Sequence, residues 1–401
     1  GVGHEVSVKM VGHLHKEPYP GLETYYSINN INGKFINVSA KFSNTYIKEE
    51  VGFNVEKEFL TPSTKWGGRI KGNRLTRANQ IVDSDPVKLE ETPLNLLLLD
   101  AWAGRSFQIN PGKFSNSQIT FAGRIAHQYF YERPEPDIRN NQYFSNRTFY
   151  LAGITWSQRR YIRDQLIYSY GITEDIPEGF KNEIVAGYDA NEFGNRLYTH
   201  IYLSNGNLLP GHPGYLFLSA AAGGYFNKLT LEQGLARMDV NYISRLFKLK
   251  NKRCRFFGRL DYMLGIRRFD VENLLLRDSG HIRGFSSSLP EGKQRLSLNL
   301  ETVFFQQREI YKFYIALFLF ADVGIIGSNK EFIFNEHYYS GLGIGIRLHN
   351  ESLVLKTIQL RLAFYPYHPE NMNFAAFVLE ERTKHNFYKF QPSEPEPLRF
   401  Q

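Results

Sequence analysis

The sequence predicts an all-β fold, a transmembrane antiparallel β-barrel of about 16 to 18 strands. Three observations predict it. Alternating polar and apolar segments recur along most of the 401 residues, separated by turn-rich stretches. They are about 10–14 residues long, whereas soluble strands average about 5–6 and tilted membrane-crossing strands need about 9–11. The better ones carry an apolar face against a polar or small one.

The bulk composition agrees. Hydrophobic residues make up 42% and charged residues 22%, which excludes a disordered chain. Aromatic residues reach 15%, with 25 Tyr and 32 Phe, types that favour strands and membrane interfaces. Mean hydropathy is −0.38, and no apolar run is long enough for a spanning helix. A single cysteine, Cys254, excludes an intrachain disulfide scaffold or a Cys-rich metal site. The net charge of +8 suits an anionic lipid surface or nucleic acid without selecting either. The chain starts GVGHEVSV, as expected of a processed or trimmed chain.

Taken in order, residues 1–30 read as the end of a preceding periplasmic segment or as a first strand. Residues 31–383 read as the barrel and 384–401 as a C-terminal tail, whose prolines and glutamates do not suit a central strand. Asn79–Leu94 and Glu132–Tyr143 read as long polar loops, and Tyr170–Gly179 as a polar turn.

The C-terminal strands show the two faces best. Leu296, Leu298 and Leu300 oppose Arg295, Ser297, Asn299 and Glu301. Ile315, Leu317, Leu319, Ala321 and Val323 oppose Phe318, Phe320, Asp322 and Gly324. Leu342, Ile344, Ile346 and Leu348 oppose Gly341, Gly343, Gly345 and Arg347. An apolar outside and a charged inside invert a soluble barrel, and strands in lipid must close to satisfy their backbone. A large soluble sandwich is the competing fold.

Within the expected lumen, Arg283 lies on the glycine-rich loop of "DSGHIRGFSSSLPEGK", Glu301 on the next strand and Asp322 on the one after. Neighbouring strands are about 4.8 Å apart, so one planar guanidinium can reach both carboxylates. Gly284 frees the loop tip, and Phe285 and Phe320 are placed to stack on the arginine. The bland reading is lumen charges solvated by water.

The ordered set "HIRGF", "RLSLNLETVFF", "LFLFADVG", "YYSGLGIGIRL" and "LRLAFYP" resembles the C-terminal barrel of the BamA/TamA family, the bacterial surface antigen superfamily. Ile282, Arg283, Gly284 and Phe285 match its loop-tip motif; Phe320, Asp322 and Gly324 match its later-strand motif; Glu301 matches a lumenal acidic residue. The match covers about 110 residues and is one of pattern only upstream of residue 250. It implies a barrel of about 16 strands, with an inward-folded extracellular loop, in the outer membrane of a diderm (Gram-negative) bacterium that inserts other barrels or translocates polypeptides. The implied work uses strand pairing at the first/last seam, without nucleotide, metal or other cofactor. Implied partners are outer-membrane lipid and lipopolysaccharide, unfolded or secreted polypeptide clients, and periplasmic or lipoprotein subunits. No nucleic acid and no enzymatic activity are expected.

A second function class is an anion-preferring channel, from Arg255, Arg259, Arg267, Arg295, Arg347 and Arg361 on the expected lumen face. A third is an anchor or subunit for another domain. Expected metal ligands are none; His13 and His15 read as surface histidines, and "RRYIRD" at Arg159–Asp164 as a headgroup or lumen cluster.

Overall fold

A computed structural model describes residues 3–13, 19–45, 48–61, 63–77, 94–109, 117–135, 142, 144–167, 170, 173–249, 252–276, 281–285, 290–306, 309–350, 357–369, 372–381 and 390–400. His15 and most of the two long polar loops lie outside the described residues.

Alternation yields strands throughout. They are β1 (Gly3–His13), β2 (Tyr19–Ile31), β3 (Ile36–Asn44), β4 (Lys48–Lys57), β5 (Trp66–Arg77), β6 (Leu94–Ile109) and β7 (Ser117–Glu132). Then follow β8 (Arg147–Gln165), β9 (Thr173–Asn191), β10 (Arg196–Leu208), β11 (Gly214–Asn227), β12 (Thr230–Ser244), β13 (Phe247–Leu249) and β14 (Lys252–Ile266). The last are β15 (Leu274–Leu275), β16 (Glu291–Gly292), β17 (Gln294–Gln306), β18 (Tyr314–Gly327), β19 (His337–His349), β20 (Thr357–Tyr367) and β21 (Ala375–Glu381). Apart from β15 and β16, which pair with each other, they form one 19-stranded antiparallel sheet.

The sheet is a meander, each strand pairing with the next along the chain. Since β13 continues β12 along the same edge of β14, the 19 strands among the described residues occupy 18 lanes, against the number of about 16 that the resemblance implies. Residues 3–31, read as the end of a preceding segment or as a first strand, form two full lanes. β1 and β21 are each paired on one side among the described residues.

The read faces are those observed. On β19 and β20, Leu342, Ile344, Leu362 and Phe364 are exposed, while Arg347, Gln359, Arg361 and Tyr365 are buried. On β8 and β10, Ile154, Trp156, Leu197 and Leu203 are exposed, while Thr155, Ser157, His200 and Ser204 are buried. The sheet curls around its polar face. Asp164 at the end of β8 accepts two 3.0 Å hydrogen bonds from Arg255 of β14. Tyr170, after β8, stacks on His349 of β19 at 5.1 Å between ring centres.

One segment departs from expectation. Most of Tyr170–Gly179 is strand rather than turn, because Thr173–Gly179 opens β9 and pairs with β8 as far as Gln165. Ile176 is buried there against Tyr215 and Phe217, an anchor that outweighs the turn signal of Pro177 and Gly179. Residues 390–400 of the proline-rich tail form no strand, in keeping with their prolines. Residues 390–400 lie within the curl, with Phe390 and Phe400 buried. Prolines cannot donate to a ladder, but an extended chain can still dock through its carbonyls and side chains.

Candidate functional site

Residues 281–285 of the loop between β14 and β17 lie on the concave face and are fixed by one arginine. Arg283 reaches Asp322 of β18 side-on, with Nε 2.9 Å from Oδ2 and Nη2 2.7 Å from Oδ1. Its Nη1 donates to Glu301 Oε2 at 2.5 Å and Nη2 to the Leu300 carbonyl at 3.0 Å. The Arg283 backbone N–H also donates to Asp322, at 2.9 Å. The guanidinium lies 4.4 Å from the centre of the Phe320 ring. Burial opposes its charge, but Asp322 and then Glu301 outweigh that, and its pKa is raised.

Register explains the convergence. Asn299 pairs with Asp322 and Glu301 with Phe320 across β17–β18, so the two carboxylates sit diagonally on one face. The inner face of β19 is glycine where bulk must be received. A Cβ on Gly343 or Gly345 would collide with the Phe320 or Phe318 ring, and one on Gly324 of β18 would lie 2.8 Å from Leu276. These glycines make the recess into which Ile282, Phe318 and Phe320 pack.

All eight expected clamp residues belong to this cluster, with one change of role. Phe285 does not stack on Arg283; it is buried edge-on to Tyr339 and Tyr365, at 5.8 and 6.4 Å between ring centres. The loop turns at Gly284, where φ is +78°, and this carries the ring away from the guanidinium.

Four partners were missed as clamp members. Tyr365 Oη donates to the Arg283 carbonyl at 3.0 Å. Asn299 Nδ2 donates to Asp322 at 2.9 Å and to the His281 carbonyl at 2.6 Å. Arg347 holds both oxygens of Glu301, at 2.7 and 2.8 Å, and donates through Nε to Gln359 at 2.7 Å. Charge therefore alternates along Asp322, Arg283, Glu301 and Arg347. The available signal was parity, since Arg347, Gln359 and Tyr365 all fall on inner positions of their strands.

Three of the six expected lumen arginines are neutralised by ion pairs. Arg255 is paired with Asp164, Arg295 with Asp261 and Arg347 with Glu301. Arg361 is buried with its guanidinium 5.9 Å from the Phe320 ring, and Arg259 is half-buried on β14. Arg267 is not on the wall. β14 ends at Ile266, and Arg267 turns outward at φ +49°, exposed. The parity count ran one residue past the end of the strand. In the "RRYIRD" cluster, Arg159 donates to Gln391 of the tail at 2.7 Å and Asp164 takes Arg255, while Tyr161 is exposed.

No family model and no curated protein matches this sequence. Among solved structures, the chain is similar to BamA from Haemophilus ducreyi lacking POTRA domains 1–3, with a TM-score of 0.47 and 10% identity. The alignment covers 93% of this chain and 75% of that one. It is also similar to CdiB from Acinetobacter baumannii, with a TM-score of 0.41 and 11% identity, over 94% of this chain and 65% of that one.

Proposed function

We propose that this chain is an outer-membrane β-barrel of the BamA/TamA type, in a diderm bacterium, that assembles outer-membrane proteins or moves polypeptides across that membrane. The clamp carries the reading. The residues that resemble the family's two motifs, far apart in sequence, meet as one buried ion-pair cluster on an inward-folded loop. The inverted polarity supports the membrane setting, because lipid solvates an apolar outer band and a soluble protein would hide it. No catalytic group is required. The work is strand pairing, and β1 and β21, each paired on one side among the described residues, are edges that accept an incoming strand. The paired state of Arg255, Arg295 and Arg347 weighs against an anion channel.

Depleting the protein from its host and measuring the outer-membrane and secreted proteomes tests the function. Other barrels or a secreted class of polypeptide should fall, and an unchanged profile would overturn the reading. The lipid face has its own test. Ile344, half-exposed at 48%, is on the outer side of β19. Ile344→Lys should cost about 2–4 kcal/mol for folding into lipid vesicles, and Ile344→Leu almost nothing. Equal urea midpoints for the two would refute the lipid-facing assignment.

A further inference from the structure

The tail segment 390–400 crosses the interior of the sheet from one end to the other. Phe390 packs with Ile176 and Phe217, near the first residues of β9 and β11. Phe400 packs over Arg268, 4.4 Å from its guanidinium, just past the end of β14. β9, β11 and β14 run the same way in the meander, so these two anchors are at opposite ends. Eleven residues at about 3.1 Å each in polyproline II form reach about 30 Å, the thickness of a bilayer's hydrocarbon core.

The conformation is written in the segment. Pro392, Pro395 and Pro397 fix extended backbone. Pro392 and Pro395 are buried and Leu398 half-buried, a period of three, while Ser393, Glu396 and Arg399 are exposed. Polyproline II has three residues per turn and leaves its backbone groups free for a partner.

The wall is built to receive it. Arg159 donates to Gln391 Oε1 at 2.7 Å and Lys181 to Ser393 Oγ at 2.8 Å. Glu394 takes Arg69, which also holds Asp100 at 2.8 Å. Arg124 grips Asp100 through Nε and Nη2 and donates its remaining Nη1 to the Pro395 carbonyl at 3.0 Å. Tyr198 Oη accepts the Leu398 N–H at 2.7 Å. Wall glycines stand where the tail rests. A Cβ on Gly206 would be 2.8 Å from Phe390, one on Gly153 3.2 Å from Pro395, and one on Gly265 2.6 Å from Phe400.

We propose that this wall is a binding track for an extended, proline-containing acidic polypeptide, and that residues 390–400 fill it in cis as a displaceable plug. The polar rungs recognise a backbone carbonyl and N–H, an amide and a hydroxyl side chain and one carboxylate, and the glycine recesses recognise rings. A partner segment of the same chemistry competes with the tail. This rests on the polypeptide-handling reading for its biological meaning, though not for its test.

The test uses planar-bilayer conductance of the full chain and of a variant lacking residues 390–401, with the synthetic peptide FQPSEPEPLRF as probe. Deletion should raise the steady conductance on the order of tenfold, by emptying the pore. The peptide should restore the low level, whereas a scrambled peptide should not. A deletion variant with unchanged conductance, or blocked equally by both peptides, overturns the proposal. If deletion prevents folding, full-length Glu394→Lys places a cation against Arg69 and Arg124 and should open the pore. A closed Glu394→Lys pore overturns the proposal. An unchanged proteome after depletion would sink the assembly reading and leave these conductance results standing.

Discussion

Arg283→Ala should destabilise the folded protein by about 3–5 kcal/mol, the cost of leaving a buried charge without its partner. Asp322 is 0% exposed and takes most of its hydrogen bonds from Arg283, and Asn299 alone cannot neutralise it. Glu301 suffers less, because Arg347 keeps both its oxygens. Arg283→Lys should recover less than half of the loss. An ammonium is a point charge and cannot reach Asp322 side-on and Glu301 together. The decisive comparison is the double variant Arg283→Ala/Asp322→Asn. If the cost is mainly the orphaned carboxylate, neutralising it should return about 1–3 kcal/mol to the Arg283→Ala protein. Urea unfolding in lipid vesicles, with heat-modifiable gel migration as a second readout, measures all three. A double variant no more stable than Arg283→Ala would show that the clamp works through packing rather than charge.

The strand plan was legible because a two-state code repeats along the chain. Alternation at Leu342, Ile344 and Ile346 against Gly341, Gly343 and Gly345 identifies both the strand and its outer side. The core of the clamp was legible for the same reason. Parity put Glu301 and Asp322 on the inner face, and strand spacing put both within reach of one guanidinium. Parity does not give register. Without the Ala316↔Arg347 pairing across β18–β19, Arg347 read as a free lumen cation rather than as the second hold on Glu301. Tyr365 and Asn299 act on backbone carbonyls of the loop, whose position no spacing rule supplies. The docked position of the tail was not legible, because its prolines announce only what they prevent. Its positive signal, Pro392 and Pro395 three residues apart, needs a facing wall before it carries meaning.

Gly284→Ala should remove most of the loop's hold, for two reasons that can be separated. The first is backbone conformation. Gly284 has φ +78°, and a side chain there costs about 1–2 kcal/mol. The second is collision. An added Cβ would overlap Tyr365 Oη, the atom that donates to the Arg283 carbonyl. Tyr365 is itself buried and edge-on to Phe285, so its ring has little room to retreat. Forcing it aside loses that hydrogen bond and strains the packing, a further 1–3 kcal/mol or so. Tyr365→Phe alone should cost about 1 kcal/mol, the value of one hydrogen bond. In the Tyr365→Phe background the overlapping oxygen is gone, so Gly284→Ala should cost only the conformational part. The pair is therefore expected to be less destabilising than the sum of the singles by about 1–3 kcal/mol, the collision part. Strictly additive urea midpoints would mean that Tyr365 does not pin the loop tip, and the strain at Gly284 would then be purely one of backbone.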